Sequence, residues 1–70
     1  MTEDQRAAYI ADYPECMTAP LPAGWNRLDT MPLSARRLAF LRANGEAFSG
    51  APSNAAFLVD SQTIIGWRHG

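Results

Sequence analysis

The period at which hydrophobic residues recur changes along the chain, and the changes mark out five stretches. In the first, Arg6, Tyr9, Ile10 and Tyr13 stand three and four residues apart, the spacing of one amphipathic helix face. Thr2 and Gln5 bracket Glu3 and Asp4 in a capping-box pattern, with both carboxylates where the helix dipole favours them. Tyr13 precedes Pro14, which pushes it out of the α region, so the predicted helix runs over about 3–12. From 14 to 33 no period is visible. Pro14, Pro20, Pro22 and Pro32 punctuate the stretch, yet Met17, Leu21, Trp25, Leu28 and Met31 are too apolar for a solvated linker. The expectation is an extended segment wrapped over the core, with a short strand at about 24–29.

Leu33 and Ser34 resemble a helix entry, Ser34 as N-cap and Leu33 as a hydrophobic staple onto Leu38, and Asn44-Gly45 resembles a helix stop. A second helix is therefore predicted over about 35–44. Residues 45–54, with Ser49, Gly50, Pro52 and Ser53, read as a surface loop carrying Phe48. Ala55–Val59 and Thr63–Trp67 are rich in β-branched and aromatic residues and flank Asp60-Ser61-Gln62, which predicts an antiparallel hairpin over 55–67. Both faces of that ribbon would be apolar, so one must cover the helices and the other be hidden by the Pro-rich segment or by another molecule. Arg68-His69-Gly70 reads as a frayed tail. Together these elements form one small α+β domain, 1–70: two short helices joined by a Pro-rich extended segment and packed on a C-terminal antiparallel hairpin.

The run Leu21-Pro22-Ala23-Gly24-Trp25 is similar to the opening of WW domains, and its last four residues to a run in MbtH-like proteins. In a WW domain two strands and then a second Trp come soon after this run, whereas here the second Trp is Trp67 and a predicted helix intervenes; in MbtH-like proteins the strands precede the run, whereas here the clearest predicted strands come at the end of the chain. No residue role is carried over from either. Pro22 and Gly24 are expected to shape a turn.

Composition narrows the functional classes. Seventy residues, 47% of them hydrophobic but with twelve of those Ala, supply too few large side chains to wall off a substrate pocket of roughly 300 Å³. An enzyme is not expected. Cys16 is the single cysteine, which excludes an internal disulfide or a Cys-rich zinc site and suits a reducing cytoplasm. His69 is the single imidazole and stands next to the last residue, so no catalytic, cofactor or metal residue is assigned. No apolar run is long enough to span a membrane, and no membrane partner is expected.

The six basic residues are all Arg, and the net charge is -1. Arg and Ala enrichment is the bias of a GC-rich bacterial or bacteriophage genome. On the predicted second helix Phe40 falls opposite Leu38 and Leu41, framed by Arg36 and Arg37. It is therefore either a docking anchor or, if that helix is sandwiched between two layers, a core residue. The candidate protein-binding set is Arg36, Arg37, Phe40, Arg42 and Trp67, since aromatics and Arg dominate interface hot spots.

The function expected is a non-enzymatic protein-binding module, an inhibitor or accessory subunit of a larger intracellular complex, plausible for a bacteriophage protein that sterically blocks host nucleic-acid machinery. One alternative is a nucleic-acid binder using Arg36, Arg37 and Arg42, which the slightly acidic balance disfavours. Another is a homo-oligomeric structural or virion component, self-associating through the second hairpin face.

Overall fold

The computed structural model describes residues 1–53 and 63–70. Two helices come first, α1 (Glu3–Asp12) and α2 (Glu15–Thr18), then a 3-10 turn at Leu28–Thr30, and finally strands β1 (Leu38–Arg42), β2 (Ala47–Gly50) and β3 (Ile64–Arg68). The strands form an antiparallel sheet in the order β2-β1-β3. The class is α+β.

Helix α1 has the predicted bounds, and its capping box is complete: the Gln5 N–H donates to Thr2 Oγ1 and the Thr2 N–H to Gln5 Oε1. Helix α2 lies inside the stretch expected to be extended. Pro14, with φ -57°, needs no N–H at a helix start, and the turn it begins closes with Ala19 N–H donating to the Glu15 carbonyl before Pro20 ends it. The same stretch does more than wrap the core, since Cys16, Leu28 and Met31 are among its fully buried residues.

The predicted helix over 35–44 is a strand. Leu38 and Phe40, two apart, lie on one face of β1 in the core with Tyr9, Cys16, Leu28, Met31, Ile64 and Trp67. A helix would have split them onto opposite sides. Asn44-Gly45, taken for a helix stop, turns the chain from β1 into β2: Gly45 has φ +91°, its N–H donates to the Arg42 carbonyl, and the Glu46 N–H donates to Asn44 Oδ1. Ser34 sits in a turn closed by Ala35 N–H and the Pro32 carbonyl. Much of the loop expected over 45–54 is accordingly β2, whose Phe48 pairs with Phe40 across the ladder.

Strand β3 matches the second predicted strand shifted by one residue, but its ladder partner is β1; the expected partner at 55–59 lies outside the described residues. The strand expected at 24–29 shrinks to one bridge, Asn26 against Trp67, made by reciprocal backbone bonds of 2.8 and 2.9 Å before the chain winds into the 3-10 turn. The far face of the sheet is covered in part by the Pro-rich segment. A Cβ placed on Gly66 would stand 2.7 Å from Leu21 Cδ1 and 3.1 Å from the Asn26 carbonyl oxygen, so a larger residue there must displace the Leu21 side chain and crowd the Asn26 backbone.

Candidate functional site

The aromatic members of the expected binding set belong to the interior. Phe40 is 0% exposed and its ring stands 5.4 Å from that of Phe48. Trp67 is 8% exposed, and its indole N–H donates to the Arg27 carbonyl (2.8 Å) and to Thr30 Oγ1 (3.3 Å), fastening the 3-10 turn to β3. Neither is a surface anchor. The reason is the period of two along β1, which turns the side chain flanked by arginines in sequence toward the helices.

The arginines divide into two groups. Arg6 and Arg27 donate to the backbone carbonyls of Met31 and Cys16 and tie the helical layer together. Arg42 is half-buried, its guanidinium 4.2 Å from the centre of the Phe48 ring. Arg36 and Arg37 are exposed at the entrance to β1. Because Ala39 is registered against Arg68, the start of β1 and the finish of β3 lie at the same end of the sheet. The backbones of Arg36, Arg37 and Arg68 therefore stand at that end, where His69 lies edge-on to Trp67.

Arg68 was legible only as tail. It ends β3, and its guanidinium lies 4.6 Å from the centre of the Trp25 ring. Trp25 is set there by a tight turn: its N–H donates to the Pro22 carbonyl, and Gly24 occupies the position of positive φ, at +91°. The Pro-Ala-Gly-Trp run carries this signal in the sequence, but the pairing with Arg68 requires the tertiary fold.

Charge is segregated along the chain. Residues 1–33 hold two Arg and five carboxylates, net -3, and residues 34–70 hold four Arg and two carboxylates, net +2. Glu3, Asp4, Asp12 and Glu15 lie on or beside the helices, Asp29 in the 3-10 turn and Glu46 between β1 and β2, while exposed Arg36 and Arg37 precede β1 and Arg68 ends β3.

The remaining reactive groups serve packing. Cys16 is fully buried and its S–H donates to the Ile64 carbonyl at 3.1 Å. Burial pushes the thiol up from 9.0 to about 11, with the neighbouring Glu15 carboxylate adding to the shift, so the thiolate a nucleophile needs is suppressed. Tyr9 Oη accepts from the Ile64 N–H, and burial raises its phenol above 10.0 despite that hydrogen bond. The described residues enclose no cavity, and among them no three His, Cys, Asp or Glu side chains stand together as metal ligands. No helix among them is long and apolar enough to cross a membrane. The chain matches no protein-family model, no curated protein and no solved structure.

Proposed function

We propose that the chain is a non-enzymatic protein-binding module, an inhibitor or accessory subunit that docks on a larger protein in the cytoplasm. The observation that carries this reading is the exposure of Arg36, Arg37 and Arg68, whose backbones the β1–β3 register brings to one end of the sheet. An arginine cluster on a small rigid scaffold suits an acidic patch on a partner, with steering by complementary charge. Steric blocking is the mechanism that such a scaffold permits. The Arg- and Ala-rich composition fits a bacterial or bacteriophage setting, and host nucleic-acid machinery is the class of target in keeping with it.

The binding surface differs from the one expected of the sequence. Phe40 and Trp67 are given up as anchors because they are buried, and Arg36 and Arg37 remain. Direct nucleic-acid binding is less favoured, because a net charge of -1 supplies no basic excess.

Affinity capture tests the reading. The tagged chain is incubated with nuclease-treated lysate of a bacterial host at moderate salt, and bound proteins are identified by mass spectrometry. One stoichiometric protein partner, lost from the Arg36→Glu/Arg37→Glu variant, is expected. Recovery of the chain alone and self-associated would replace this reading with self-assembly.

A further inference from the structure

The stacked pair Arg68 and Trp25 differs from the other exposed arginines in being held in place from below. The Arg68 guanidinium lies over the indole at 4.6 Å, and Trp25 in turn is fixed on both sides, by the Pro22–Trp25 turn before it and by the two Asn26–Trp67 backbone bonds after it. A guanidinium whose face rests on an aromatic ring keeps its edge of N–H donors for other partners. Those donors form a planar fork that matches the two oxygens of a carboxylate. Arg68 is itself exposed, and Arg36 and Arg37 stand at the same end of the sheet to add positive charge around it.

We infer that the Arg68–Trp25 stack is a carboxylate-recognition site, at which an Asp or Glu of an acidic segment on the partner protein is held bidentately by Arg68. The inference rests on the protein-binding reading and deepens it by naming the recognised group. An acidic protein segment is favoured over a nucleic acid because the net -3 of residues 1–33 opposes a long polyanion laid across the molecule, the fork itself suiting carboxylate and phosphate alike.

The test is an NMR titration of the isotope-labelled chain with a blocked twelve-residue peptide of alternating Glu and Gly, and separately with the matching Gln peptide. The expected result is saturable binding of the Glu peptide alone, with the largest shifts at the Arg68 guanidinium N–H and the Trp25 indole N–H. Arg68→Lys keeps the charge but loses the fork, and is expected to weaken binding at least fivefold. Trp25→Leu keeps apolar cover over Gly66 but removes the ring, and is expected to weaken it similarly. Both variants are first checked for a native-like spectrum. Equal binding by Arg68→Lys, shifts centred elsewhere, no binding of the Glu peptide, or tighter binding of a single-stranded oligonucleotide of equal charge would each overturn the inference. If the partner protein is captured by Arg68→Lys as well as by the unaltered chain, the protein-binding reading stands and the Arg68 site fails; if no partner is captured at all, it is the wider reading that fails.

Discussion

Ile64 shows how single side chains finish what the sheet leaves open. Its N–H donates to Tyr9 Oη at 3.0 Å, and its carbonyl accepts from the Cys16 thiol. Tyr9→Phe strips the acceptor and leaves a buried N–H, which costs about 1–3 kcal/mol, read as a lower denaturation midpoint at unchanged slope. Against the about 4–10 kcal/mol expected of a domain of this size, that is a large fraction. The same two residues give stability a pH dependence. Both are acids whose pKa is raised on folding, so the unfolded chain releases these protons first. The stability Cys16 contributes is complete below 9.0 and is lost as pH rises to about 11, and that of Tyr9 declines above 10.0. Urea unfolding at pH 7, 9 and 10.5 should show that decline, and Cys16→Ala should flatten it. Phe40→Ala should cost about 3–5 kcal/mol, a large part of the domain's total, because the ring is fully buried. Retained folding with lost binding would return Phe40 to the surface.

At the level of elements, α1 was fully legible because its signals are local: a capping box, an amphipathic stripe and a terminating Tyr13-Pro14. The stretch over 35–44 was misread because its local signals serve two structures. A Ser before an apolar run and an Asn-Gly after it suit a helix with caps, but Asn-Gly between apolar runs is also a hairpin turn, and pairing with β3 decides in favour of the strand. The clue present in the sequence was Phe40 itself, which a helical period strands among arginines and a period of two returns to Leu38. The Arg68 and Trp25 stack had no local signal, since its members stand 43 positions apart in the chain. A substitution separates the two readings of this region. Ala47→Thr places a β-branched residue on exposed β2 opposite Leu41, and should stabilise by a few tenths up to about 1 kcal/mol where a loop would be indifferent. Gly66→Val tests the other face, where its side chain would collide with Leu21 and the Asn26 carbonyl; a loss of about 1–3 kcal/mol in chemical denaturation is expected.

For the molecule as a whole, the sheet is closed at one edge and charged at one end. Along the outer edge of β3, the Asn26 backbone takes the groups of Trp67, and Tyr9 and Cys16 take those of Ile64, so that edge offers no free ladder to another chain. Three of the fully buried residues, Cys16, Leu28 and Met31, come from the Pro-rich segment and its short helical turns, which is how so short a chain closes a core. The aromatic side chains that the sequence offered as anchors are consumed by that closure. On the proposed reading recognition falls to the guanidiniums, and a partner held by them should dissociate as salt rises, while a partner held by aromatic contacts would not. The most direct measurement is the affinity of the captured partner for Arg36→Glu/Arg37→Glu, taken beside the thermal unfolding of the same variant. A loss of tenfold or more in affinity, with the unfolding midpoint unchanged, is the result predicted. Unchanged affinity in a folded variant would contradict binding through the arginine end of the sheet.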